Sequence, residues 1–170
     1  MDEIQRLILI NQLEILSVLK PDDAEDNALK ITALKYGFEA EIQDYVSSSV
    51  FEILPEEACG FVMDVLDMYS AIQLATQDLG EEEFRRLGGG MWSKFKGFDG
   101  NNETRLLAYS RYLIRDCGKW MELLEDAGQF NTHQRASEKY HRMLGRFNEV
   151  VEEIGSHELS MAHVRAIFSA

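Results

Sequence analysis

Apolar residues recur every three to four positions along most of this 170-residue chain, and no stretch alternates apolar with polar residues. The first pattern is typical of amphipathic helices, and the second is typical of half-buried strands. Only 2 prolines interrupt the chain, and the sequence contains no internal repeat or low-complexity tract. The pattern therefore predicts an all-α fold, a compact single domain over residues 1–170 with about six to seven helices.

Helix boundaries follow from the residues that start and stop helices. Pro21 and Gly37 end the first two helices, Pro55 opens the third, and three glycines at positions 88–90 end the segment after it. Residues 38–54 fit either a short helix or an extended piece over residues 46–53. The predicted helices cover residues 2–19, 22–36, 55–79 with an extension or restart at 81–87, 102–126, 132–154 and 160–168.

Two segments carry more apolar surface than their surroundings explain. The linker after the glycine triplet contains Trp92, Phe95 and Phe98, so we expect it to pack against the helices. The first helix is apolar around more of its circumference than one core contact covers, and we therefore expect a dimer. The apolar residues of that helix are Ile4, Leu7, Ile8, Leu9, Ile10, Leu13, Ile15, Leu16, Val18 and Leu19.

The chain is strongly acidic, with 30 acidic and 17 basic residues and a formal net charge of −13. This charge opposes binding to phosphate backbones and anionic lipids, so we expect no direct nucleic-acid partner and no membrane partner. Asp2 and Glu3 stand where a signal peptide would be basic, and Asn11, Gln12 and Glu14 interrupt the long apolar stretch. We therefore expect a cytoplasmic protein.

The usual catalytic and metal-binding patterns are not matched. Cys59 and Cys117 lack CxxC spacing and lie within apolar helical patterns, so we interpret both as small buried hydrophobes. The glycine triplet is not part of a phosphate-binding loop, the histidines lack HExxH spacing, and no GxSxG occurs. A calcium-loop pattern that begins at Asp99 has Thr104 where glycine is required and Ser110 where the last ligand is required. We therefore expect no metal and no cofactor, and we identify no catalytic residue.

The polar stretch DGNNE at residues 99–103 is better explained as the start of a helix. Asp99 and Gly100 have typical turn chemistry, and Glu103 suits the positive end of a helix dipole. Asn101 or Asn102 can accept hydrogen bonds from the first free amides of the helix.

The helix that follows carries Arg111, Arg115 and Lys119 four residues apart, which predicts a basic stripe on an acidic protein. We favour an interpretation in which the stripe pairs with acidic residues of a neighbouring helix or subunit. Alternatively, the stripe lines a pocket for a small anionic ligand, because the arginine guanidinium matches the geometry of carboxylate and phosphate. The candidate ligand-binding residues are then Asp99, Glu103, Arg105, Tyr109 and Arg111.

Four stretches, in the same order and over nearly the whole chain, resemble the YfbU family of bacterial proteins. They are QRLILINQLEILSVL, VMDVLDMYSAI, GFDGNNETRLLAYSRYLI and SEKYHRML. The resemblance implies a single helical domain from the cytoplasm, without an established activity or catalytic residues. Related domains fused to DNA-binding modules suggest a sensor or interaction role.

These observations favour a non-enzymatic regulatory or interaction domain that binds a partner protein or a small ligand and forms a homo-oligomer. Two alternatives stay open: an enzyme with a polar site around residues 99–111, and a transcription regulator that acts through a partner. A deep pocket with a desolvated carboxylate beside Arg105 or Arg111 would favour the enzyme. A basic patch with a helix-turn-helix would favour the regulator.

Overall fold

A computed structural model of the chain describes residues 1–49 and 52–170. By their contacts these residues form two units, residues 1–53 and residues 54–170. The described residues contain 9 α-helices and no strand, which confirms the all-α prediction. The predicted count of six to seven helices is too low, because short helices also form at residues 39–49, 81–86 and 124–127. The single domain over residues 1–170 stays a prediction.

The first unit contains three helices: α1 (Glu3–Leu19), α2 (Ala24–Tyr36) and α3 (Glu39–Ser49). The side chain of Asp2 accepts a hydrogen bond from the backbone N–H of Gln5 at 2.7 Å and so caps α1. Gly37 ends α2 with a φ of 70°, in the left-handed region that favours glycine, as its place in the sequence predicts.

The first unit has a small apolar core between its helices. Ile10 and Leu13 of α1 are buried against Leu34 of α2, and half-buried apolar residues surround them. The guanidinium of Arg6 donates a hydrogen bond to the Leu34 carbonyl at 3.3 Å, which adds a polar link between α1 and α2. Only one side of α1 contributes to this core.

Of the two alternatives for residues 38–54, the short helix is confirmed by α3, and the extended piece over residues 46–53 is wrong for residues 46–49. Residues 46–49 are the last turn of α3, and residues 52 and 53 are in neither a helix nor a strand. Residues 50 and 51, on which this prediction also falls, lie outside the described residues.

The second unit is built around the long helix α4 (Glu56–Thr76), which begins directly after Pro55 as predicted. Helices that pack against α4 are α6 (Thr104–Arg111), α8 (Ser137–Ile154) and α9 (Met161–Ser169). Two shorter helices, α5 (Glu81–Arg86) and α7 (Leu124–Ala127), complete the unit.

By length and composition alone, α4 could cross a membrane. In the second unit, however, it is a core helix: Val62, Leu66 and Ile72 are at most 2% exposed. The core helix of a globular unit passes the same composition test, so this property of α4 carries no further conclusion.

The linker between α5 and α6 is packed into the core of the second unit, as its aromatic content predicts. Phe95 and Phe98 are fully buried. Their rings lie 6.3 Å and 5.4 Å, centroid to centroid, from the ring of Tyr140 in α8. Tyr69 of α4 contacts the same tyrosine at 5.6 Å. An aromatic cluster therefore joins the linker to the two longest helices of this unit.

The single helix predicted over residues 102–126 is wrong. Helix α6 ends at Arg111 and continues only as a π-helical turn, Tyr112–Asp116. Gly118 and Trp120 then adopt left-handed backbone conformations, with φ of 66° and 48°. The indole N–H of Trp120 donates to the Asp67 carboxylate of α4 at 2.8 Å. This tertiary hydrogen bond stabilises the break in the helix.

The same break exposes a cysteine. Cys117 lies just after the π-helical turn and is exposed, whereas Cys59 in α4 is half-buried. The prediction that both are buried hydrophobes is therefore wrong for Cys117, because the chain leaves the helical path that would have placed it in the core.

Candidate functional site

The predicted site begins in a loop that pairs with a second loop far along the chain. The backbone N–H of Phe98 donates to the Phe130 carbonyl at 3.1 Å, and the N–H of Thr132 donates to the Phe98 carbonyl at 3.1 Å. These two bonds form an isolated parallel bridge between Phe98 and Asn131. Residues 97–103 and residues 130–137 are therefore held side by side without a sheet.

Gly97 is required by this close pairing. Its φ is +89°, and a Cβ at this position would lie 2.0 Å from the Phe130 carbonyl oxygen. The buried hydroxyl of Tyr140 donates to the Gly97 carbonyl at 3.0 Å. Phe130 itself has a φ of 61°, which is unusual for a bulky residue and indicates that the surrounding packing determines the backbone here.

Asp99 is buried, with 2% of its surface exposed, and its carboxylate is satisfied within its own turn. It accepts hydrogen bonds from the side-chain amide of Asn102 and from the backbone N–H of Asn101. These two bonds, that of Asn102 first, lower the pKa of Asp99. The carboxyl group is therefore a charged acceptor with hydrogen-bond partners inside the protein, rather than a group that exchanges protons near neutral pH.

Glu103 connects the first loop to the start of α8. One carboxylate oxygen, Oε2, accepts from the backbone N–H groups of Asp99 and Ala136, each at 2.9 Å, and the other accepts from Ser137 at 2.9 Å. Burial raises the pKa of Glu103, but hydrogen bonds from Asp99, Ser137 and Ala136 outweigh burial, so the pKa is lowered. The side chain acts as an N-terminal cap for α8, supplied from outside that helix.

The capping role predicted for Asn101 and Asn102 is wrong. Helix α6 begins at Thr104, and its N-cap residue Glu103 makes no side-chain capping bond to it. The backbone N–H of Asn101 and the side-chain amide of Asn102 instead donate to Asp99. Neither residue stands at the N-cap position, because α6 begins one residue later than a cap at Asn102 requires. The stretch does precede a helix, α6, as predicted. The side chain of Glu103, however, accepts hydrogen bonds from the start of α8 and stabilises that helix instead.

The structure brings together two of the five candidate residues, Asp99 and Glu103, through the hydrogen bond between them. The other three lie on α6: Arg105 and Tyr109 are half-buried, and Arg111 is exposed at the end of the helix. Burial, and then the neighbouring Cys59 thiol, raise the pKa of Tyr109.

The predicted basic stripe does not lie on one regular helix. Arg111 ends α6, Arg115 is in the π-helical turn, and Lys119 follows the break at Gly118. Arg115 donates to the Gly128 carbonyl at 3.0 Å, and its guanidinium lies 5.1 Å from the centroid of the Phe130 ring. These contacts give Arg115 a packing role against a backbone carbonyl and an aromatic ring, which is neither the pairing with acidic residues that we favoured nor a ligand pocket.

Chemically, the arrangement around residues 99–103 suits a structural junction better than catalysis. General acid–base catalysis works best with a pKa near the operating pH, whereas the pKa values of both carboxyl groups are shifted downwards. Within residues 1–49 and 52–170, no group of three or more His, Cys, Asp or Glu side chains is placed to hold a metal ion.

The second unit also contains a cavity of about 250 Å³ that the sequence does not predict. Its walls come from α4, α5, α7 and the linker that contains Phe95. Gln73, Thr76, Lys94 and Asp126 are among its polar residues. No local motif marks these residues, because they come from four separate segments of the chain.

The comparisons with known proteins agree with the fold and name no activity. The pattern of the YfbU domain family matches residues 1–170. A curated UPF0304 protein from Methanocaldococcus jannaschii is 33% identical over 147 residues, which are 85% of this chain and 85% of that protein. Neither description states a reaction, a ligand or a partner.

Proposed function

We propose that this chain, which belongs to the YfbU family, is a non-enzymatic interaction domain that pairs with a second copy of itself through α1. The family name carries no activity, so the proposal depends on the surface of the molecule. The observation that carries it is a stripe of exposed apolar residues along α1 with a polar residue at its centre.

The α1 stripe consists of six apolar residues, which are between 50% and 78% exposed, and of Asn11 among them, on the side of the helix away from Ile10 and Leu13. At 3.6 residues per turn its members fall within about 120° of the helix circumference. A continuous exposed apolar surface of this kind is typical of an interface. The members of the α1 stripe are Ile4, Leu7, Ile8, Asn11, Ile15, Val18 and Leu19.

Asn11 indicates what covers the stripe. It is the middle residue of α1 and is exposed. A side-chain amide has both donors and an acceptor, so two asparagines that face each other satisfy each other's hydrogen bonds. Asn11 of a second copy would therefore satisfy the donors and the acceptor of Asn11 when the stripe is covered. A single buried asparagine is also a known means of fixing the register between paired helices.

The spacing of the stripe further favours an antiparallel pair. Ile4 and Val18 are equally distant from Asn11 along the chain, and so are Leu7 and Ile15. Two antiparallel copies of α1 around a two-fold axis would therefore place Asn11 against Asn11 and each of these apolar residues against its counterpart. A two-fold contact is self-complementary in this way by definition.

The mass of the protein in solution tests the proposal. We expect light scattering at micromolar concentration to give a dimer for the wild type and a monomer for Ile15→Glu, which places a charge in the α1 stripe. Leu29→Glu is the matched control, because Leu29 of α2 is 70% exposed and lies outside the stripe. A monomeric wild type, or an unchanged dimer in Ile15→Glu, would overturn the proposal.

Cross-linking tests the orientation. In a background with Cys59→Ala and Cys117→Ser, oxidation of a mixture of Ile4→Cys and Val18→Cys chains should give a covalent dimer. Each of these variants alone should not cross-link, because the antiparallel arrangement separates identical ends of α1. A parallel pair would give the reverse pattern and would contradict the orientation but not the dimer.

The proposal includes a cytoplasmic location and a regulatory role, without direct contact with nucleic acid or membrane. The net charge of −13 supports the last two points. An enzyme with a site at residues 99–111 is the less favoured alternative, because the oxygens of Asp99 and Glu103 are engaged by hydrogen bonds within the protein. A regulator of transcription that acts through a partner protein is compatible with the same interface.

A further inference from the structure

The negative charge of this chain is concentrated in the unit that contains the proposed interface. Residues 1–53 include 11 acidic and 4 basic residues, a net charge of −7. Residues 54–170 are more than twice as many and include 19 acidic and 13 basic residues, a net charge of −6. Association through α1 therefore brings together the more densely charged units of two copies, and like charges repel.

Two acidic residues of α1 lie beside the α1 stripe. Glu3 and Glu14 are 11 positions apart, which is close to three full turns, so they lie along the same edge of the helix. At about 100° per residue this edge is about 60° to 80° from Asn11, directly next to Leu7 of the stripe. Both glutamates are exposed. Glu3 and Glu14 are called the acidic rim below.

The contacts of the first unit leave the acidic rim with a net negative charge. Arg6 is the only basic residue within α1, and its guanidinium donates to a backbone carbonyl of α2. Lys20 follows α1 and is nine positions after Asn11, so it falls on the side of the helix opposite the stripe. Lys35 of α2 has its Nζ 3.5 Å from Oε1 of Glu14, but both side chains are more than half exposed. Exposed pairs of this kind are weak.

The two-fold axis of the proposed antiparallel pair places the two acidic rims on the same side. This axis is perpendicular to the plane that contains both helices, and rotation about it keeps each edge of α1 on its own side of that plane. Glu3 and Glu14 of both copies therefore line one side of the interface. The two copies of Glu14 are about 9 Å apart along the helix axis, because six positions separate them in the antiparallel alignment.

We propose that ionic strength controls association through α1, because salt screens the repulsion between the acidic rims and so strengthens the dimer. This inference rests on the proposed dimer and adds its regulation. The apolar residues of the α1 stripe supply the attraction, whereas the repulsion extends over about 30 Å at 0.01 M salt and over only about 8 Å at 0.15 M. A dimer held together by salt bridges would respond to salt in the opposite direction.

The dissociation constant of the wild-type dimer tests this control. Sedimentation velocity over a dilution series is measured in about 20, 100 and 300 mM NaCl, and we expect Kd to fall at least about tenfold from the lowest to the highest salt concentration. Absence of a dimer at all three concentrations would overturn the proposed dimer and this inference with it. A dimer whose Kd is constant, or rises with salt, would overturn only the control by ionic strength.

Two double variants separate the acidic rim from the general effect of salt on apolar association. Glu3→Gln with Glu14→Gln removes the rim charges, so the dimer should be at least about fivefold tighter at about 20 mM NaCl and less dependent on salt. Glu152→Gln with Glu153→Gln is the matched control: both residues are exposed on α8, and the total charge changes equally. The control should keep the wild-type Kd at each salt concentration.

Two results would contradict the assignment to the acidic rim. One is a rim variant that keeps the wild-type dependence of Kd on salt, and the other is a control variant that shifts Kd as much as the rim variant does. The wild-type salt series stays decisive even if a variant fails to fold.

Discussion

The carboxylate of Glu103 accepts a hydrogen bond from the backbone N–H of Ser137 at 2.9 Å, across 34 positions of the chain. The side chain thus stabilises the first turn of a helix to which it does not belong. Its second oxygen is shared by the backbone N–H groups of Asp99 and Ala136. Glu103 is therefore the polar junction between the two paired loops and α8.

Loss of this carboxylate should destabilise the second unit. Glu103→Ala leaves three backbone N–H groups without their acceptor and should lower the free energy of unfolding by about 2 to 3 kcal/mol. Glu103→Gln keeps one oxygen and should cost about 1 kcal/mol, the usual effect of a lost cap. Urea unfolding followed by fluorescence of Trp92 and Trp120, both in the second unit, measures these values. A ligand site would behave differently, since removal of its carboxylate should leave the empty protein as stable as before.

The same junction predicts a dependence on pH. The pKa of Glu103 is lowered in the folded protein, compared with about 4.3 in an unfolded chain. Its stabilising effect is thus fully present above the unfolded pKa and is lost as the pH falls through the folded pKa. The difference in unfolding free energy between wild type and Glu103→Gln should therefore be constant from neutral pH down to about 4.3 and shrink below it. A difference that grows towards acid would mean that the folded pKa is raised.

Gly97 should tolerate no side chain. Gly97→Ala combines a left-handed backbone with a Cβ placed 2.0 Å from the Phe130 carbonyl oxygen. We expect a loss of at least about 3 kcal/mol, of which about 1 to 2 kcal/mol comes from the backbone conformation. Gly155→Ala is the matched control: its φ is +68°, but nothing lies within 4 Å of the added Cβ. It should cost about 1 kcal/mol, and equal losses in the two variants would show that the contact with Phe130 is unimportant.

Asn11 should control the specificity of the proposed dimer rather than its strength. Asn11→Leu replaces the central polar residue of the α1 stripe by an apolar one, which should tighten association and relax the register. Sedimentation velocity over a dilution series should show a lower dissociation constant for the variant. In the cross-linking experiment, Ile4→Cys alone should then begin to form covalent dimers. Weaker association in Asn11→Leu would mean that Asn11 contributes binding energy.

Arg111 provides the test between the two interpretations of the basic residues. It is exposed, so Arg111→Ala should change the free energy of unfolding by less than about 1 kcal/mol, as for surface charges in general. The melting temperature of the Arg111→Ala variant should respond to phosphate as that of the wild type does. A variant that melts higher than wild type in inert buffer, and that loses a phosphate-dependent stabilisation, would identify Arg111 as part of an anion site.

Boundaries set by local backbone chemistry could be predicted from the sequence. Gly37 ends α2 because glycine accepts the left-handed conformation, and Pro55 precedes α4 because proline suits the start of a helix. The break after Arg111 was missed, although Gly118 is a readable stop signal. Apolar periodicity continues past it, and the bond that stabilises the break joins Trp120 to Asp67 in another helix.

The candidate site was harder to predict because its bonds are non-local. The sequence marks Asp99 and Glu103 as polar candidates within one loop. It does not show that Glu103 also accepts hydrogen bonds from the N–H groups of residues 136 and 137, more than 30 positions away. The cavity could not be predicted at all, because its lining comes from four separate segments of the chain.

The pairing of Phe98 with the 130–132 segment limits where this chain can change its length during evolution. An insertion or deletion within residues 97–103 would move Glu103 away from the first turn of α8 and place a side chain where only Gly97 fits. The turn after α8 is different, because Gly155 has open space around it. Surface loops usually absorb such changes. In this protein the irregular segments around Phe98 and Phe130 should instead keep a constant length, and length variation among related proteins should occur at outer turns such as that of Gly155.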